Sequence, residues 1–347
     1  MDRINQLEFV EHIRKRPGMY IGSTQISGLK QMFLYLFEHI NYLNGDIKYE
    51  VSLSILDGKK FEFIFSKIRY IEPNALTSIN NHSGYLGFPS LSCLCEKFQI
   101  YCNDEIYFES SRGNYATSEY KPNDQLLDIK FIIIPDEEIF VNVAYCYGYY
   151  YEFILWLSYL MGNVKFRLHE NKDHRQNNIF EHRNGVFDLF RDQLTKFYVP
   201  PSFRFMKEYK FEKNHIKVAI AYGNPFYSNC PKERPKTFAS LNELLWGGDL
   251  YDGILLGIMR ALKSIILDCG LIPEVNKKRM ETSFYIVASI NNPDNEFIFK
   301  GATKCALYDP KLKAFISKTI AKDVKAHFIG NQSFIEKTIL KYYTKED

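Results

Sequence analysis

Residues Arg14-Lys15-Arg16-Pro17-Gly18-Met19-Tyr20-Ile21-Gly22-Ser23 interrupt two stretches of helical periodicity, and that interruption dictates how the start of the chain is laid out. Before it, Leu7, Val10 and Ile13 recur at helical spacing over 1–16, and the Pro17-Gly18 pair then breaks the helix. Gly22 to Gly28 reads as a loop. From about Leu29, the residues Leu29, Met32, Phe33, Leu36, Phe37 and Ile40 form a continuous apolar stripe that must face a sheet or core. Asn44-Gly45-Asp46 supplies turn chemistry at its end.

Beyond that helix the periodicity changes to that of strands. Tyr49–Leu56 and Phe61–Phe65, joined by Asp57-Gly58-Lys59-Lys60, predict a hairpin. A loop rich in Asn, Ser and Gly spans about 74–90. Strands are expected at Phe98–Cys102, Glu105–Ser110, Asp128–Ile134 and Val164–His169, with a buried helix at Phe153–Met161 and another near Val186–Leu194. Pro200-Pro201 marks a domain boundary, since neither residue extends a helix and the pair favours an extended linker. Strands at Ile216–Tyr222 and Ser283–Ile290 follow, with apolar helix Leu255–Leu267 between them and amphipathic helices at Ala314–His327 and Ser333–Tyr343. Strands backed by helices, twice over, give an α+β protein of two domains.

Composition excludes several classes of function. With 347 residues and 46% hydrophobic content, the chain can bury two cores. A net charge of +3 announces no global nucleic-acid field, so any DNA contact must come from a local patch. The seven cysteines show no CxxC pair, and no metal site is expected. No apolar run is long enough to span a bilayer and no leader is visible, so a cytoplasmic protein without a membrane partner is expected.

The opening run resembles the signature that begins the ATPase half of gyrase B and of its topoisomerase IV relative. Phe180-Glu181-His182-Arg183-Asn184-Gly185-Val186 resembles the segment that ends that ATPase domain. Phe238 followed by Gly247-Gly248 and Gly253 is similar to a strand, double-glycine turn and helix of the family's transducer domain, and Thr303-Lys304 to its Gln-Thr-Lys loop. The resemblance implies a GHKL-type ATPase-like α/β sandwich over 1–198 and a ribosomal-S5-like transducer domain over 199–347.

It also implies where ATP chemistry should sit, and there the residues differ. Counting from Gly28-Leu29, the family's water-polarising glutamate falls on Tyr35 and its Mg²⁺-holding asparagine on His39. A phenol is no base at neutral pH, and imidazole suits Mg²⁺ poorly. Making Glu38 the base needs an insertion that would put Phe37 and Ile40 out of phase, so Tyr35 and His39 read as surface or groove residues. Aligned on Arg69 and Ile71, the adenine-binding aspartate falls on Ser66 and two glycines on Ile68 and Tyr70, while a threonine position falls near Leu127. Ser83-Gly84-Tyr85-Leu86-Gly87-Phe88-Pro89 keeps the outline of the phosphate loop, with Gly84 and Gly87 in place, but proline replaces its last glycine. Lys304 alone keeps a catalytic type, its counterpart reaching the terminal phosphate.

The expectation is therefore a gyrase-B-like pseudo-ATPase with a degenerate nucleotide pocket and no cofactor, acting as a protein- or DNA-binding regulatory module. The alternative is an ATP- and Mg²⁺-using subunit of an unusual type II topoisomerase or related DNA-processing complex. Lys311, Lys313, Lys318, Lys322 and Lys325, on or beside one helix, are the DNA-contact candidates. Few residues precede the opening run where the family has an arm that embraces a second subunit, so ATP-driven homodimerisation is not expected. The chain also ends with the transducer, short of the family's acidic metal-binding domain, and is not expected to be a topoisomerase by itself.

Overall fold

A computed structural model describes every residue except 1–2, 46, 57–58, 73–86, 119–124, 142–145, 171–176, 198–199, 224–234, 295, 301–303 and 345–347. The chain forms two compact units, 1–183 and 184–347, a division that falls ahead of the Pro200-Pro201 pair.

In the first unit, α1 (Arg3–Lys15) gives way at Pro17 to a single turn, α2 (Gly18–Ile21), and then to α3 (Ile26–Asn44). Gly28 lets α3 start where it does, since a Cβ there would lie 1.7 Å from the Ser23 carbonyl oxygen. The predicted stripe is buried from Leu29 to Ile40. Phe33 packs edge-on against Phe61 and Phe63 at 4.9 and 5.0 Å, and Phe37 meets Phe63 at 5.8 Å.

Those rings project from a sheet built of β1 (Tyr49–Ile55), β2 (Phe61–Ile68), β3 (Cys95–Cys102), β4 (Glu105–Ser111), β5 (Asn114–Thr117), β6 (Leu127–Pro135), β7 (Val164–Glu170) and β8 (Asn177–Phe180). Its order is β5-β4-β3-β6-β2-β1-β7-β8. β1 and β7 run parallel, and the other neighbours are antiparallel. Helix α4 (Gly87–Leu94) enters β3, and α5 (Tyr147–Leu160) lies beside α3 through Tyr150 and Phe153.

The second unit opens with α6 (Val186–Leu194). Its sheet has the order β12-β11-β13-β10-β9, from β9 (Phe203–Phe211), β10 (Asn214–Tyr222), β11 (Lys236–Ala239), β12 (Asn242–Glu243) and β13 (Phe284–Asn291). Phe190 of α6 stacks on Tyr285 on one face. On the other lie α7 (Asp249–Asp268) and α9 (Pro310–Ile329), with α8 (Lys277–Ser283) and α10 (Gln332–Phe334) beyond them, the last running into a π turn, Ile335–Leu340. Gly247 and Gly248, at φ 71 and 84, make the left-handed turn into α7 that few side chains tolerate.

α7 and α9 are parallel, Gly253 facing Ile316 and Gly257 facing Ile320. With no Cβ at either glycine, the two backbones approach closely and Ile254, Ile258, Ile316 and Ile320 become fully buried.

Candidate functional site

α3 carries Tyr35, Glu38 and His39, of which Tyr35 reaches α2 and His39 reaches α4. Tyr35 is half-buried, and its hydroxyl donates to the Tyr20 carbonyl of α2. Burial, and then the Glu38 carboxylate, push its pKa up to about 12, so at neutral pH it is a fixed donor rather than a base. Glu38 is 2% exposed and His39 9%, so of the surface or groove placement expected for His39 the surface half does not hold.

The His39 ring meets the Phe88 ring edge-on at 4.5 Å. Phe88 is the second residue of α4, and it stacks in turn on Phe98 and Phe131. The position inferred to replace the Mg²⁺ ligand is thus closed against the helix that the glycine-rich run leads into. Gly87 begins that helix, whereas Gly84 lies outside the described residues.

Burial lowers the His39 pKa to about 4. The unfolded imidazole takes a proton near pH 6.5, so below that value the unfolded state binds more protons and stability falls until about pH 4. The linked loss is on the order of 3 kcal/mol across that window. Urea unfolding at pH 7.5 and pH 5 is expected to show a lower midpoint at pH 5, with His39→Leu shrinking the difference. An equal pH response in both proteins would remove His39 as its source.

The residues expected on the adenine side lie on β2, just beyond its end at Arg69 and Tyr70, and at the start of β6. Ser66 is partly exposed and pairs with Glu50 across β1. Strand alternation places it on the face opposite Phe63 and Phe65. After it the β2–β6 register shifts, with Lys67 at φ 64 and its N–H donating to Asp128 Oδ1 at 3.0 Å. Ile68 then lies opposite Leu127, 0% and 4% exposed, a cross-strand apolar pair. Arg69 is turned to the end of α3, its guanidinium donating to the Leu43 carbonyl and its N–H to Asn44 Oδ1. The Tyr70 ring leans on buried Tyr107 at 5.2 Å. Of the adenine-side set, the structure brings only Ile68 and Leu127 into direct register.

The remaining candidates belong to the second unit. Lys304 has φ 53, and its ammonium stands 5.9 Å from the Phe299 ring. The five α9 lysines divide. Lys313 reaches Asp249 and Asp252 of α7 at 3.5 and 3.4 Å, and Lys325 reaches Ser264 and Asp268 at 2.7 and 2.6 Å. Lys311, Lys318 and Lys322 are exposed along one face. Among the described residues no group of His, Cys, Asp and Glu is placed to hold a metal, and no helix is long and apolar enough to cross a membrane.

Two features escaped sequence reasoning. Phe88 lies within the glycine-rich run but was not singled out there, and its contacts with His39, Phe98 and Phe131 are tertiary. Arg14, from the opening run, donates to the Cys93 carbonyl at 2.9 Å and to Asp136 Oδ2 at 2.7 Å. Arg112 Nε approaches the same carboxylate at 3.1 Å. The run is thus a clasp that fastens α1 to the ends of α4 and β6.

No family profile matches the chain. It is similar to the B subunit of DNA gyrase from Clostridium acetobutylicum, 22% identical over 95% of this chain and 56% of that one. It is likewise similar to the B subunit of DNA topoisomerase 4 from Enterococcus faecalis, 22% identical over 97% of this chain and 54% of that one. The chain spans about half the length of the relatives it matches. Among solved structures, the 43K ATPase domain of Thermus thermophilus gyrase B superposes with a TM-score of 0.72 at 17% identity, over 98% of this chain and 95% of that one. The gyrase B protein of Myxococcus xanthus gives 0.76 at 14%, over 96% and 99%. The α+β, GHKL-type fold expected from the sequence is the fold of this chain.

Proposed function

We propose that this chain, a distant homologue of the gyrase B and topoisomerase IV B proteins, keeps their fold without their nucleotide chemistry and works as a scaffold that binds a protein partner. The observation that carries the reading is the contact between His39 and Phe88 at 4.5 Å. A Mg²⁺–phosphate group between α3 and α4 would need oxygen ligands and open space at that point. The chain offers two rings in contact.

Its neighbours support the same reading. Tyr35 donates to a backbone carbonyl where a general base would be needed. Ile68 and Leu127 set apolar side chains together where the resemblance calls for bare backbone and a hydroxyl. Lys304 is inferred to be a loop residue held over Phe299.

Isothermal titration of the full chain with ATP and MgCl₂ tests the proposal. No saturable heat up to millimolar nucleotide is expected. Binding in the micromolar range, or phosphate release that disappears in Lys304→Ala, would overturn it.

A further inference from the structure

Strand β9 closes one edge of the second sheet, and among the described residues it is hydrogen-bonded to β10 and to no other strand. The β9–β10 hairpin turns through Glu212-Lys213, so Phe211 and Asn214 flank a two-residue turn and exchange both backbone bonds. Alternation along an antiparallel ladder then directs the N–H and C=O groups of Arg204, Met206, Glu208 and Lys210 away from β10. All four residues are exposed.

We infer that this edge receives an extended, acidic segment of a protein partner as a sixth strand. The inference rests on the protein-binding reading above and names the kind of partner. Strand addition supplies affinity through main-chain bonds and selectivity through flanking side chains. Here the flanking charges are basic. Glu208, the acidic residue of the strand, is paired with Lys217 of β10 at 3.4 Å, which leaves Arg204 and Lys210 outward. Helix α9 lies directly over β9, with Phe315 stacked on Phe211 at 4.7 Å and Asp323 accepting from the Tyr209 hydroxyl at 3.0 Å. Lys318, one turn after Phe315, and Lys322, beside Asp323, stand exposed on the solvent side of that helix.

The same charges argue against a second copy of the chain as occupant. Full-length antiparallel pairing of β9 with itself would set Arg204 opposite Lys210 and Lys207 opposite Lys207. Like charges across a strand pair are destabilising, and lysines on an edge deter self-association. An acidic strand meets neither obstacle.

The test is fluorescence anisotropy of the full chain with a labelled twelve-residue peptide of alternating glutamate and valine. Saturable binding is expected, weakened at least tenfold by Met206→Pro. Proline there removes an N–H that points off the sheet and leaves the β10 ladder intact, which an unchanged circular-dichroism spectrum would verify. Lys318→Glu with Lys322→Glu is expected to weaken binding about tenfold, and the peptide N-methylated at alternate residues should not bind. No binding of the parent peptide, or equal binding of the N-methylated peptide, would overturn the inference. So would a DNA duplex that outcompetes the peptide and is indifferent to Met206→Pro, an outcome that assigns the surface to nucleic acid. Titrating ATP into the same samples separates this inference from the inactive-ATPase reading. Nucleotide binding with peptide binding intact removes only that reading, and peptide failure without nucleotide binding removes only the strand site.

Discussion

Gly257→Val is expected to destabilise the second unit by about 3 kcal/mol, visible as a clear drop in its urea midpoint by far-UV circular dichroism. A Cβ on Gly257 would lie 2.7 Å from Ile320 Cβ and 3.0 Å from the Ser317 carbonyl oxygen. Neither neighbour can retreat, because Ile320 is fully buried and Ser317 belongs to the backbone of α9. The helices must separate, and contacts made by Ile254, Ile258 and Ile316 loosen with them. Helix propensity opposes the loss only weakly, by a few tenths of a kcal/mol for valine over glycine. Gly257→Ala should cost less, since alanine recovers about 1 kcal/mol of propensity and adds one methyl. A valine variant with an unchanged midpoint would mean that α7 and α9 do not pack as described.

The second large effect concerns the first unit. Asp136→Ala is expected to cost about 3 kcal/mol, the range for breaking a buried ion pair from one side. The Asp136 side chain is 1% exposed, and it accepts from Arg14 and from the backbone N–H of Glu138, two residues on, at 3.1 Å. Its removal leaves the Arg14 guanidinium, itself 20% exposed, facing Glu138 at 3.5 Å as its remaining carboxylate. Arg112 is 44% exposed and can turn to water, so Arg112→Ala should cost under about 1 kcal/mol. The expected order of loss is Asp136→Ala, then Arg14→Ala, then Arg112→Ala. Because Arg14 tethers α1, limited proteolysis should cut near α1 faster in Asp136→Ala. Equal losses for Arg14→Ala and Arg112→Ala would refute the clasp.

How far the sequence could be read followed from where the physical signal was local. The stripe from Leu29 to Ile40 and the pair Tyr49–Leu56 and Phe61–Phe65 were legible because periodicity of 3.6 or 2 is a property of neighbouring residues. β9 was missed for the same reason. Phe203, Phe205, Tyr209 and Phe211 alternate inward, but Lys207 occupies an inward position, where its pairing with Asp323 at 2.9 Å comes from a helix far along the chain. β5 and β8 are four-residue edge strands whose side chains are mostly exposed, so they carry little pattern at all. In the candidate site, spacing from Gly28-Leu29 led to Tyr35 and His39. What those residues touch was not legible, since Phe88 and the Tyr20 carbonyl reach them only through tertiary packing.

The parallel pairing of β1 with β7 has a consequence for the order in which the protein can be made. Glu50 and Arg167, joined across those strands at 3.2 Å, are 117 residues apart in the chain. A nascent chain that has emerged through β6 can form the β1–β2 hairpin and add β6 beside β2 and β3 beside β6, yet the far edge of β1 stays unpaired. Such an edge, apolar and unpaired, invites pairing with other chains until its partner arrives. The first unit therefore cannot close that edge until β7 has left the ribosome.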